Sequence, residues 1–168
     1  MAKWVISDNP LNNHFGTMHI LNCNKGTYFL ANTLSNRHPD DKTLIDVARL
    51  AERTVHFFNH KPVIAMLSYS IFGADVEGSP AKVHKAVDYL HKNYPDMLID
   101  GEMQVNFALN KKLRDEKYPF TKLKGKNVNT LIFPNLSSAN SGYKLIQALN
   151  DGELIGPIQM GLNKPIHF

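Results

Sequence analysis

Val63-Ile64-Ala65-Met66-Leu67 is an uninterrupted apolar run, with a hydrophobic side chain at odd and even positions alike. A strand with one wet face alternates apolar and polar residues, so a run without alternation needs cover on both faces. It is also too short to be a helix in its own right. The arrangement that covers both faces of a strand is a parallel sheet between two layers of helices.

The rest of the chain supplies what that arrangement requires. Asp40 and Asp41 precede a helix whose stripe of Leu44, Val47, Ala48, Ala51, Val55 and Phe58 follows helical spacing. Ser79 and Pro80 predict a second helix, with the serine as N-cap and the proline at the first helical position. Val83, Ala86, Val87 and Leu90 form its inner face, and Pro95 stops it. Leu98–Gly101 reads as a short strand end, followed by a helix near Met103–Leu113. Val128–Phe133 predicts another buried strand, Gly142–Leu149 a helix closed by Asn150-Asp151-Gly152, and Leu154–Met160 a last strand interrupted by Gly156-Pro157. Ahead of all these, Thr17–Leu21 and Thr27–Ala31 flank a turn containing Gly26 and predict an antiparallel hairpin. The alternation means an α/β chain, a mostly parallel sheet flanked by helices. In such sheets ligands bind beyond the carboxyl ends of the strands. The polar residues to watch are therefore Ser68 and Ser70, Asp100 and Glu102, and Asn135 and Ser137.

A chain of 168 residues is expected to form a single domain. No apolar run approaches the roughly 20 residues that cross a bilayer. The start, Met1-Ala2-Lys3-Trp4, lacks the apolar stretch of a signal peptide, so a cytoplasmic location is expected and a membrane partner is not. Cys23 is the only cysteine, which excludes an intrachain disulfide and a cysteine zinc cluster. The eight histidines are scattered; His56 and His60 have i,i+4 spacing but no Glu in a His-Glu-x-x-His pattern, so no metal site is expected. The net charge of +4 is concentrated. Lys111, Lys112, Arg114, Lys117, Lys122, Lys124 and Lys126 face only Asp115 and Glu116 across residues 111–126. Such a stretch attracts phosphates or is simply a solvated helix end and loop; without interleaved aromatics or a module signature, nucleic acid is not the expected partner.

Several blocks, in order, resemble the phosphotransacetylase family. They are Gly26-Thr27-Tyr28-Phe29-Leu30-Ala31-Asn32-Thr33, Met66-Leu67-Ser68-Tyr69-Ser70-Ile71-Phe72-Gly73, and Leu98-Ile99-Asp100-Gly101-Glu102-Met103-Gln104. Phe133-Pro134-Asn135-Leu136 leading to Asn140-Ser141-Gly142-Tyr143-Lys144 follows, then Ile155-Gly156-Pro157-Ile158 and Gly161-Leu162-Asn163-Lys164-Pro165. The resemblance runs from about Met18 to the end, with residues 1–17 matching loosely. Met66–Ser70 and Tyr118-Pro119-Phe120-Thr121-Lys122-Leu123-Lys124-Gly125 resemble the version found at the end of bacterial NADP-dependent malic enzymes. Phosphotransacetylases proper usually carry Asp where this chain has Asn32 and Asn135.

The resemblance implies a three-layer sandwich of the isocitrate dehydrogenase-like kind, only part of which this chain spans. It implies a site for acyl-CoA or acyl phosphate in a cleft between two subdomains, and assembly as a homo-oligomer. In active members a CoA thiol attacks acetyl phosphate while serine and arginine donors stabilise the oxyanion. The family's Ser-Arg pair falls a few residues after the position of Lys164-Pro165, and this chain ends at Phe168. The expectation is therefore a non-catalytic acyl-CoA-binding regulatory module of a malic enzyme, with a piece of a working phosphate acetyltransferase as the alternative. NADP and a divalent metal would belong to the malate-oxidising domain, the expected partner, and this chain has no Gly-x-Gly-x-x-Gly of its own.

The candidate ligand-binding residues are Ser68, Ser70, Asn135, Asn140, Tyr143 and Lys144. The last four stand where a strand meets a helix, where backbone amides and a lysine favour an anion; an N-cap network and a surface lysine is the competing account. Asp100 and Glu102 are candidates for acid–base work or for capping the next helix. No catalytic nucleophile is expected, since no histidine is implied beside either serine.

Overall fold

The computed structural model describes residues 5–6, 15–33, 37–149 and 152–161. Trp4, His14, His167 and the block from Leu162 to Pro165 lie outside the described residues. The elements in chain order are β1 (Val5–Ile6), β2 (Gly16–Cys23), β3 (Gly26–Thr33), α1 (Asp41–Phe57), β4 (Ile64–Leu67), α2 (Gly78–Asn93) and β5 (Ile99–Met103). After these come α3 (Val105–Leu109), α4 (Lys111–Lys117), β6 (Thr130–Ile132), α5 (Leu136–Leu149) and β7 (Glu153–Met160).

The seven strands form one mixed sheet in the order β1-β7-β2-β3-β6-β4-β5. β3, β6, β4 and β5 are parallel neighbours, and β1 runs parallel to β7. β2 is antiparallel to both β3 and β7. The predicted hairpin is present, its turn left through Gly26 at φ 128°.

The apolar run behaves as its lack of alternation requires. Ile64 and Met66 join a core with α1 and α2, through Leu44, Val47, Ala51, Val55, Val83, Val87 and Leu90. Val63, Ala65 and Leu67 join a second core with Met103, Ala108, Leu123, Leu131, Ala139 and Tyr143. Both faces of β4 are thus covered, and the molecule has three layers. Among the described residues, no helix is long and apolar enough to cross a membrane.

Three boundaries differ from expectation, each for a local reason. The helix expected near Met103–Leu113 is two short helices, because Met103 still belongs to β5 and Asn110 starts a new helix by accepting the Leu113 amide at 3.0 Å. α5 begins at Leu136 rather than Gly142, since Asn135 accepts the Ser138 amide at 2.8 Å and caps it six residues earlier. α2 starts at Gly78, whose φ of 60° turns the chain into the helix, so Ser79 is inside the first turn and no side chain caps it.

Candidate functional site

The carboxyl ends of β3, β4, β5 and β6 share one edge of the sheet with the start of β2. α5 crosses the face of β2 and β3 beside that edge. Period-2 alternation sends Thr17, His19, Leu21 and Cys23 of β2 toward α5, and Tyr28, Leu30 and Asn32 of β3 likewise. The polar half of this face, nearest the edge, meets Asn140, Tyr143, Lys144 and Gln147 of α5 around a cavity of about 410 Å³. The apolar half meets Leu145, Ile146 and Leu149 around a separate groove of about 390 Å³. One helix therefore divides a wet cavity from a greasy groove on the same sheet face.

Within the polar cavity the hydrogen bonds converge on Asn32, which is 1% exposed. Its Oδ1 accepts from the hydroxyl of Thr17 and, at 3.2 Å, from that of Tyr143. Burial raises the Tyr143 phenol pKa well above its usual value, so it stays a donor. Its ring rests on His19 at a centroid distance of 4.1 Å and meets Phe133 edge-on at 5.6 Å. No aspartate or glutamate is among the described residues lining the cavity. Among the described lining residues, Lys144 is the one with a formal charge.

His19 owes its place to an irregularity in the sheet. The register between β2 and β7 slips between Met18 and Ile20, so two residues of β7, Gly156 and Pro157, stand opposite the single His19. Gly156 has φ 142°, and a Cβ there would meet the His19 ring at 2.9 Å and the Met18 carbonyl at 3.0 Å. The backbone approach that seats His19 thus requires glycine at 156. Burial, and then the charge of Lys144, lower the His19 pKa below its ordinary value, and its Nδ1 is buried with no hydrogen-bond partner.

Of the residues singled out from sequence, Asn140, Tyr143 and Lys144 line this cavity. Asn135 stands beside it with its amide oxygen committed to the α5 cap. Ser68 and Ser70 do not line it. They sit in the loop after β4, where Ser68 Oγ accepts the Ser70 amide at 3.1 Å and Ser70 Oγ accepts the Asp75 amide at 3.1 Å. That loop is held by Glu102, which is 0% exposed. Glu102 Oε1 accepts the Gly73 amide at 2.7 Å and the Ser70 hydroxyl at 3.3 Å, while Oε2 lies 3.0 Å from His84 Nδ1.

Asp100 and Glu102 were expected just beyond a strand, with helix capping as one account of them. Both lie inside β5, and neither caps α3, which starts after Gln104 without a side-chain cap. Glu102 is the extra residue where the β4–β5 register slips between Met66 and Leu67, and a Cβ on Gly101 would lie 2.6 Å from the Met66 carbonyl. The slip parts the two acids. Glu102 meets His84 near the start of α2, whereas Asp100 Oδ2 accepts the Thr121 hydroxyl at 2.6 Å and the Lys122 amide at 2.8 Å, with its Oδ1 3.7 Å from His91 Nε2 near the end of α2. The basic segment also divides: Arg114 is fully buried, leaving Lys111, Lys112, Lys117, Lys122 and Lys124 exposed.

Sequence reasoning passed over Thr17, His19, Asn32 and Gln147 as site residues. The signal was available for the first three, since the hairpin register places Thr17 and His19 on one face of β2 with Asn32 paired to Thr17.

A family model described as phosphate acetyl/butaryl transferase matches residues 2–168. The chain belongs to the phosphate acetyl/butaryl transferase family. Relatives within and around this family are of two kinds. The NADP-dependent malic enzyme of Escherichia coli is 35% identical over 153 residues, 90% of this chain and 20% of that protein. The phosphate acetyltransferase of Treponema pallidum is 41% identical over 131 residues, 76% of this chain and 39% of that protein. The EutD phosphotransacetylase from Staphylococcus aureus is a solved structure with a TM-score of 0.85 and 28% identity, covering 95% of this chain and 49% of that one. The chain thus spans between a fifth and a half of the length of these relatives.

Proposed function

We propose that this chain is a phosphotransacetylase-like module that binds acyl-CoA or acyl phosphate and regulates an NADP-dependent malic enzyme, without catalysing acetyl transfer. The observation that carries the reading is the cavity under α5: one lysine, five neutral hydrogen-bonding side chains and a histidine, with no carboxylate among its described lining residues. Such a lining suits an anion. Its volume of about 410 Å³ is at the lower end of the roughly 300–1,000 Å³ of small-molecule sites. That accommodates an acyl phosphate or the acyl-thioester end of acyl-CoA and leaves the nucleotide outside. Lys144 would pair with the anionic or carbonyl oxygen, while Asn140 and Gln147 orient it. At Asn32 an amide stands where a carboxylate would serve as a proton acceptor, which favours binding over chemistry.

The second reading, a piece of a working phosphate acetyltransferase, is supported by the 41% identity to the Treponema pallidum enzyme. Homo-oligomeric assembly and, in a malic-enzyme parent, contact with the malate-oxidising domain that carries NADP and metal belong to the first reading.

Calorimetric titration with acetyl-CoA and with acetyl phosphate tests the proposal. Saturable binding is expected, weakened about tenfold or more by Lys144→Ala, the loss of a charge-assisted hydrogen bond. No binding by either the chain or the parent protein removes the reading. Acetyl phosphate–CoA exchange by the parent at ordinary turnover, about 10 per second, replaces it with the second one.

A further inference from the structure

The polar cavity contains a group for which the proposed function gives no role. His19 is half-buried against Tyr143, with the Lys144 ammonium near enough to disfavour its protonation. The groups facing it come from three elements. Tyr143 and Lys144 lie on α5, Asn32 lies on β3, and β7 contributes only the uncharged Leu154, Gly156 and Pro157. No carboxylate among the described residues of the cavity is placed to neutralise a second positive charge. An empty cavity therefore favours neutral imidazole, while an anion beside Lys144 reverses that preference, because it turns a repulsive surrounding into an attractive one.

Building on the anion-binding reading of this cavity, we infer that a tetrahedral oxyanion sits between Lys144 and His19, and that the imidazole takes up a proton as the anion binds. The ligand class is a phosphoryl group or another tetrahedral dianion, and its affinity rises as pH falls. Lys144 supplies one positive charge, and His19 the one that the ligand itself induces. The sheet irregularity at Gly156-Pro157 is what places His19 there. By linkage, whatever raises proton affinity on anion binding raises anion affinity on protonation by the same factor.

Sulfate is the probe of choice, since it stays a dianion across the range in which histidine titrates. Calorimetry of the whole chain is carried out in two buffers of different ionisation enthalpy, at several pH values from 5.5 to 8. The expected result is proton uptake approaching about one per sulfate near the histidine range, and an affinity about tenfold higher at the acidic end. His19→Gln is expected to flatten the pH dependence, with its largest loss of affinity at the acidic end, whereas Lys144→Ala lowers affinity at every pH. NMR titration of the histidine rings in the unaltered chain provides a measurement independent of any variant: sulfate should move one ring, that of His19, to a higher pKa. Sulfate binding with no proton uptake, or with a pH dependence that survives in His19→Gln, overturns the inference and leaves the anion site standing. If neither sulfate nor acetyl phosphate binds at any pH, the anion-site reading fails and the inference goes with it.

Discussion

Glu102 shows how much one side chain can organise. It is fully buried, and three groups depend on it: the Gly73 amide, the Ser70 hydroxyl and His84 Nδ1. Removing the carboxylate leaves the amide and the hydroxyl without their acceptor and His84 with only Asp88, at about 3 kcal/mol. For a chain of this size that is roughly 6–12 °C in Tm. Glu102→Ala is therefore expected to unfold well below the parent chain in a thermal melt, and Glu102→Gln, which keeps an acceptor for Gly73 and Ser70, to recover most of the loss. Equal melts for both variants would mean that the charge itself, not the hydrogen bonds, holds the loop. His19 behaves in the opposite sense. Its folded pKa is lowered, so the unfolded chain binds a proton that the folded one resists. Its contribution is neutral at high pH and turns destabilising as pH falls below about 6.5. Denaturant melts at pH 5.5 and 8 should show that difference shrinking in His19→Gln.

At the scale of the element, caps and register decide the local geometry more than composition does. The strands and helices that carry strong periodicity were legible: the apolar β4, the α1 stripe from Leu44 to Val55 and the β2–β3 hairpin stand where the pattern puts them. The misreadings cluster where one side chain or one backbone slip overrides the pattern. Asn110 splits an expected helix, Asn135 starts another early, and the bulge at Glu102 separates two acids that alternation would have kept on one face. No spacing rule reveals a bulge, because it is set by where the partner strand puts its hydrogen bonds. Asn135 illustrates the consequence for the site. Its amide oxygen accepts the Ser138 amide and its carbonyl accepts the Ser138 hydroxyl, so capping accounts for it. Asn135→Ala should cost about 1 kcal/mol by denaturant unfolding. Asn135→Asp should cost nothing or stabilise slightly, because an acid caps as well and suits the helix N-terminus. If both variants instead leave stability unchanged and weaken acetyl-CoA binding together, Asn135 acts on the ligand and the cap is incidental.

For the whole molecule, the outer strand β5 depends on a segment that has no regular structure. Asp100 of β5 is held by Thr121 and Lys122, which lie in the stretch between α4 and β6. That stretch is in turn pinned by Arg114, fully buried, whose guanidinium donates to the carbonyls of Ala108, Leu123 and Lys126 at 3.2, 2.9 and 2.6 Å. Asp115 lies 3.4 Å from its Nε and accepts the Gly125 amide at 2.7 Å. The only planar side chain with enough donors to satisfy three diverging carbonyls is arginine, so lysine is not an equivalent. The same stretch carries Leu123 and Val128 into the second core. Loosening it should open that core from the edge inward, leaving α1 and α2 packed on the opposite face. Arg114→Met is expected to lose about 3–5 kcal/mol, since the carbonyls and Asp115 are left buried without their partner. Hydrogen exchange distinguishes a local clamp from a general core contact. In Arg114→Lys, the milder variant, the amides of Lys124 and Lys126, bonded to Thr121 and Leu123, should exchange much faster while those of α1 hold. Uniform acceleration across both faces would show that the two cores open together, and that Arg114 supports the fold as a whole rather than one layer of it.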